Sequence, residues 1–174
     1  MFVDKRRRSY PRRKYPQLHG KWRYMLSRCY DEFSCNYEGY GGRGITVCDE
    51  WKTNFYAFAE WAINNGWYEG CSLQIDRIDN YKGYMPDNCR FVSAKENARN
   101  RRDNVLLEYN GWVFCIAEWA EILKISTSVI GRRLYVLNWS VKDALEVIPK
   151  RGRNEIKERA DVDALIKEWF ERGD

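Results

Sequence analysis

The chain is short of several things that a reader looks for first. Its 174 residues contain one histidine, His19, and six cysteines (Cys29, Cys35, Cys48, Cys71, Cys89, Cys115) with no CxxC pair among them. A zinc site would therefore need distant cysteines brought together, and structural zinc is not expected. No run of about 18 apolar residues is present, so no membrane span is expected. The basic N-terminus is not followed by an apolar segment, which argues against a signal peptide and for reduced, mostly buried thiols in a cytoplasmic protein. No internal repeat is visible, and the glycine-rich stretch Gly41-Gly42-Arg43-Gly44 lacks the lysine and spacing of a P-loop.

What is present is aromatic and basic. Aromatic residues make up 16% of the chain, enough to build a real core despite its polarity. The net charge of +5 is unevenly spread. Lys5, Arg6, Arg7, Arg8, Arg12, Arg13 and Lys14 face only Asp4 within the first twenty residues, and the remainder is close to neutral. A localised basic arm of this kind releases counterions on meeting phosphate and points to nucleic acid.

The residue pattern divides the chain into four parts. Residues 1–16 form a basic arm with Pro11 and Pro16. Residues 17–30 read as a helix, with Leu18, Trp22, Met25, Leu26 and Cys29 on one stripe. A glycine-rich turn around Arg43 and a short β segment at Ile45–Cys48 follow. Residues 51–64 read as a second helix with Trp51, Phe55, Phe58, Ala59 and Ala62 on one face, ended by Asn65-Gly66. Residues 73–78 and 89–92 read as strands flanking a loop rich in turn formers (Asn80, Gly83, Pro86). Ser93-Ala-Lys-Glu96 is a capping box opening a helix that carries Asn97, Arg99, Asn100, Arg101 and Arg102. This block spans 17–104. Residues 105–149 read as a β-hairpin turning at Asn110-Gly111, then three short helices, Ile116–Leu123, Ser126–Leu137 and Val141–Val147. Ala117, Ala120, Ile122, Ile125, Ile130, Leu134, Trp139, Ala144 and Leu145 are their expected core. Residues 150–174 contain an amphipathic helix from about 154 to 172.

Hydrolysing a phosphodiester calls for a hard cation with oxygen ligands. Magnesium keeps several waters and takes one or two protein ligands besides phosphate oxygens. Asp76 at a strand end and the amide oxygen of Asn97 on the next helix can supply those two, with Asn88 in the loop orienting the site. Taken alone these three residues also read as turn and cap residues.

The wider pattern is more specific. Asp76-Arg77-Ile78-Asp79, Pro86-Asp87-Asn88, Cys89-Arg90-Phe91-Val92-Ser93 and Glu96-Asn97 resemble the signature of the HNH nucleases, the His-Me finger or ββα-metal class. The flanks, Trp22 through Cys29, Tyr40 through Ile45 and Trp51, look like the front part of phage HNH homing endonucleases. Residues 105–148, with Glu118-Trp119-Ala120 and Asn138-Trp139-Ser140-Val141, resemble their appended helix-turn-helix modules. The resemblance implies an α+β fold: a small ββα-metal nuclease core with flanking helices, then a β-hairpin and a helix-turn-helix module. It implies a metal-dependent, site-specific endonuclease acting on double-stranded DNA with Mg²⁺ or Mn²⁺, with Asp76 and Asn97 as ligands and Asn88 steadying the catalytic residue. Where the family carries its general-base histidine, this chain has Arg77. Arginine stays protonated, so it is expected to handle phosphate charge instead of taking a proton from water. The alternative is a non-cutting DNA-binding protein on the same scaffold. Expected DNA contacts are the arm (Arg6, Arg7, Arg8, Arg12, Arg13), Arg43, Arg90, Arg101 and Arg102. Ser126, Ser128, Arg132 and Arg133 join them on the second helix of the C-terminal module, which would enter the major groove.

Overall fold

A computed structural model describes residues 14–148 and 158–173. The chain forms two compact units that meet in sequence between Arg102 and Asp103. Both combine helices with small antiparallel hairpins, an α+β arrangement. The basic arm and the stretch 149–157 lie outside the described residues.

In the first unit, α1 (Pro16–Tyr30) starts on a proline, whose fixed φ and missing N–H suit a helix start. Leu18, Met25 and Cys29 of its stripe are buried, and Trp22 and Leu26 pack against the same core. Two single 3₁₀ turns follow, Tyr37–Gly39 and Gly41–Arg43. Then come α2 (Asp49–Thr53) and α3 (Phe55–Asn64). The single helix expected over 51–64 is thus broken at Asn54. That residue adopts an extended conformation (φ −126°, ψ 97°), and its side chain accepts the Tyr56 N–H as the N-cap of α3. Asparagine competes with helix in this way because its short side chain satisfies the same donors. The break does not disturb the apolar face: Trp51 packs against Phe58 and Trp61 with ring centres 5.2 and 4.6 Å apart, and Trp61 reaches Phe91 at 5.5 Å.

Strands β1 (Gln74–Arg77) and β2 (Cys89–Val92) pair antiparallel, with Gln74 opposite Val92 and Asp76 opposite Arg90. Helix α4 (Ala94–Arg99) leaves β2 through Ser93 and Glu96, whose reciprocal capping box is complete. The expected strand at Ile45–Cys48 is reduced to one parallel bridge between Val47 and Tyr84. Its backbone bonds run from Tyr84 N to Thr46 O and from Cys48 N to Tyr84 O.

The second unit opens with β3 (Leu106–Tyr109) and β4 (Trp112–Cys115). Asn110 and Gly111 between them both take positive φ (49° and 82°), the requirement of a tight primed turn. Helices α5 (Ile116–Ile122), α6 (Thr127–Tyr135) and α7 (Val141–Glu146) follow. A two-residue pairing of β5 (Val147–Ile148) with β6 (Glu158–Arg159) and helix α8 (Val162–Glu171) complete it. The core differs from expectation at several positions: Trp139 is half-buried and outside the cluster, and Leu123 joins it. Ala117 is exposed, whereas Trp119 is fully buried and donates its indole N–H to Leu107 O. The phase of α5 is set at its start, where Glu118 accepts the Cys115 N–H. This turns Ile116, Trp119, Ala120 and Leu123 inward at the i, i+3, i+4, i+7 spacing.

Candidate phosphate and metal site

The β1–β2 hairpin and α4 converge on Asp76. Successive strand residues point to opposite faces, so Gln74 and Asp76 share the face turned to α4. Each meets an asparagine there. Gln74 Oε1 accepts from Asn97 Nδ2 at 2.6 Å, and both carboxylate oxygens of Asp76 accept from Asn100 Nδ2 at 3.0 Å. Asn100 Nδ2 also lies 2.6 Å from Arg77 O, and its own carbonyl accepts from Asn80 Nδ2. Arg90, across the hairpin, donates its Nε to Asp76 Oδ2 at 3.0 Å; its side chain is 46% exposed while that of Asp76 is 4% exposed. The residue against Asp76 is therefore Asn100, with Asn97 one turn earlier on Gln74. The sequence places both asparagines on this helix and points to Asn97 as the ligand, although Asn100, three positions later on the same face, is an equivalent candidate by helical periodicity.

Arg77 lies on the opposite face and is buried. Its guanidinium sits 5.1 and 5.0 Å from the ring centres of Tyr40 and Tyr84. It donates Nη1 to Lys82 O at 2.9 Å and Nη2 to Asn80 Oδ1 at 3.4 Å. Arg28 of α1 lies over the same two rings at 4.5 and 4.9 Å and donates to Tyr40 Oη. Two guanidiniums thus flank a stacked tyrosine pair, Tyr40 and Tyr84. Burial pushes the Tyr84 phenol up, against the opposing pull of Arg28 and Arg77. Contact between Arg77 and a phosphate requires the guanidinium to leave its loop partners.

Asn88 is buried and closes the loop between the strands. It accepts the Asp79 N–H at 2.9 Å and donates to Asp79 O and Gly83 O at 3.1 and 2.9 Å. Three bonds from one amide fix the path over residues 78–88 that leads from the end of β1 back to β2.

The other candidates divide by exposure. Arg101 and Arg102 are exposed just after α4. Arg43 is half-buried, lies over Tyr81 and donates to Gly39 O. Arg132 on α6 is exposed, but Arg133 is buried, donates to Ala144 O at 2.7 Å and stacks over Trp139. Burial holds its guanidinium below the usual arginine value. Ser126 and Ser128 are exposed, and their hydroxyls pair with each other at 2.8 Å. Arg6, Arg7, Arg8, Arg12 and Arg13 lie outside the described residues. His19 packs between Trp22 and Phe55.

All six cysteines are free, and four are buried. Burial raises the Cys29, Cys48 and Cys115 thiols and pushes Cys89 up to about 12, which favours the neutral thiol over a metal-binding thiolate. Among the described residues no group of three His, Cys, Asp or Glu side chains converges. The oxygen ligand at this point is the Asp76 carboxylate, with the Asn100 amide nitrogen and Arg90 Nε donating to it. Asn100 turns the same Nδ2 to both the carboxylate and Arg77 O, so it orients Asp76 by donating to it and leaves the carboxylate as the oxygen ligand of the site. Such a ligand fits a hard divalent cation that draws most of its shell from water and phosphate, and does not fit zinc.

Comparison with family models, with curated proteins and with solved structures finds no match for this chain. The site must therefore be read from its own geometry.

Proposed function

We propose that this protein is a metal-dependent, site-specific DNA endonuclease, with residues 17–104 as a ββα-metal nuclease core and residues 105–149 as a helix-turn-helix DNA-reading module. The observation that carries the reading is the buried Asp76 carboxylate, held between a β-hairpin and the helix that follows it, with Asn100 against it. The order β1–β2–α4 is the order such a core takes. Asp76, oriented by Asn100, would hold Mg²⁺ or Mn²⁺, which would supply Lewis-acid stabilisation of charge developing on the phosphate.

The chain's own residues then have distinct tasks. Arg90, paired with Asp76 yet half-exposed, is poised to take a phosphate oxygen in place of the carboxylate. Arg77 contributes a fixed positive charge beneath the loop, and Asn88 holds that loop in register. The exposed Arg101, Arg102 and Arg132 would meet backbone phosphates, and the basic arm would add salt-sensitive affinity. If the protein is phage-encoded, it would act in the host cytoplasm. Among the described residues no helix is long and apolar enough to cross a membrane.

A second reading, a DNA-binding protein without catalysis, is favoured by the inward turn of Arg77 and the occupation of Asp76 by Arg90. Incubating supercoiled plasmid and phage DNA with the protein and Mg²⁺ or Mn²⁺ separates the two. Nicking or linearisation that disappears in Asp76→Ala supports the nuclease. Tight binding by both proteins with intact DNA supports the second reading.

A further inference from the structure

Beside the Asp76 site, α1, β1 and α4 enclose a cleft of about 270 Å³ lined by Lys21, Tyr24, Arg28, Gln74, Ile75 and Asn97. Its wall carries two cations and no acid. Lys21 and Arg28 are seven residues apart, two turns along one face of α1. The Arg28 guanidinium donates Nη1 to Tyr40 Oη at 3.4 Å, and its Nε lies buried behind the wall without a hydrogen-bond partner.

The amide pair Gln74–Asn97 forms another part of that wall. Pairing through Asn97 Nδ2 and Gln74 Oε1 leaves Gln74 Nε2 as a donor and Asn97 Oδ1 as an acceptor. Turning both amides over leaves the reverse, again one donor beside one acceptor. The bland role of such a pair is to tie α4 to β1. That tie already exists one step along, where Asn100 meets Asp76, and it explains neither the cleft nor its charge. Gln74 is two residues from Asp76 on the same strand face, about 6.6 Å along the strand. The cleft therefore adjoins the carboxylate at a distance comparable to one nucleotide of a strand.

We propose that this cleft is the subsite for the nucleotide next to the phosphate at Asp76: Lys21 and Arg28 take its phosphate, and the Gln74–Asn97 pair reads its base edge. The partner chemistry is a DNA base that presents an adjacent donor and acceptor, as adenine does with its 6-amino group and N7. The inference deepens the proposed function and rests on it for the identity of the neighbouring phosphate.

The test is a binding selection from a randomised duplex library, using the full chain without divalent metal. Wild type, Gln74→Met, Asn97→Leu and Lys21→Ala are compared, with thermal melting to establish which variants are folded. Gln74→Met and Asn97→Leu are expected to lose, by about tenfold, the preference at one and the same base position. Lys21→Ala is expected to weaken all sequences alike and to reduce the slope of log affinity against log salt by about 1. Either amide variant suffices if the other does not fold. Unchanged preferences in the folded amide variants, or losses spread evenly over all positions, overturn the subsite. Because the selection reads binding alone, a shared lost position in a protein that never cuts DNA upholds the subsite and sinks the nuclease reading. Cutting with base preferences indifferent to Gln74 and Asn97 does the opposite. A protein that binds no DNA overturns both.

Discussion

Asn100 lies with its side-chain amide 3.0 Å from each carboxylate oxygen of Asp76, joining the helix after the hairpin to the strand before it. In the nuclease reading this asparagine, more than Asn97, controls cation affinity. Asn100→Ala is expected to weaken activation by Mg²⁺ about 10- to 100-fold, and Asn97→Ala to change it far less. Mg²⁺ titrations of plasmid nicking measure both. An equal loss in the two variants would remove Asn100 from its proposed role.

Arg77 is expected to matter for stability before chemistry. Its guanidinium bridges a loop carbonyl and two tyrosine rings from a buried position. Arg77→Ala should cost about 2–3 kcal/mol in urea unfolding, summing a buried charged hydrogen bond and a desolvated cation–π contact. Arg77→His should lose nearly as much, because imidazole does not span the same partners. A loss under about 0.5 kcal/mol would mean that the inward packing contributes little.

The capping box of α4 gives a pH signature. Glu96 accepts from the backbone N–H and hydroxyl of Ser93, and these bonds hold its carboxyl below the ordinary 4.5. A carboxyl depressed in the folded state stabilises the fold above its unfolded value, and that contribution fades as pH falls through the folded one. Ser93→Ala should therefore cost about 1 kcal/mol at neutral pH, and the gap to wild type should narrow as the pH drops below 4.5. Denaturant midpoints at pH 7 and pH 3 test it. A gap that widens in acid contradicts the assignment.

On α6 two neighbouring arginines should behave oppositely. Arg133→Ala should destabilise the second unit by about 1–3 kcal/mol, because it leaves Ala144 O without its buried donor. Arg132→Ala should leave melting unchanged and lower DNA affinity. Circular dichroism melts and filter binding on the same two proteins distinguish them, and a reversed pattern would put Arg133 on the DNA face.

Local signals carried much of the fold into view from the sequence. Trp22, Met25 and Cys29 announce α1 by spacing, Asn110-Gly111 announces its hairpin turn, and Ser93 with Glu96 announces α4. What escaped was tertiary. No local pattern links Arg28 to Arg77, because their shared tyrosines, Tyr40 and Tyr84, come from segments forty-four residues apart in sequence. Arg133 and Arg132 look alike on paper, and only the packing of α7 decides which one faces inward. Trp119 was hidden for a related reason: the phase of α5 depends on how Glu118 caps its start. At the site, Asp76 and Asn88 stood out as turn-forming polar residues in a strand–loop–strand pattern, while the choice between Asn97 and Asn100 depends on where a six-residue helix lies against a strand.

Surface loops ordinarily absorb insertions without harm. The segment between β1 and β2 is built against that. A Cβ at Gly83 would lie 2.5 Å from Thr46 O, and Tyr84 exchanges backbone hydrogen bonds with Thr46 and Cys48. Asn88 meanwhile counts off the distance back to Asp79 and Gly83. One added residue breaks either the stitch to Thr46 and Cys48 or the return through Asn88. The length of this loop is consequently as constrained as its composition, and related chains that share the site should vary elsewhere in length before they vary here.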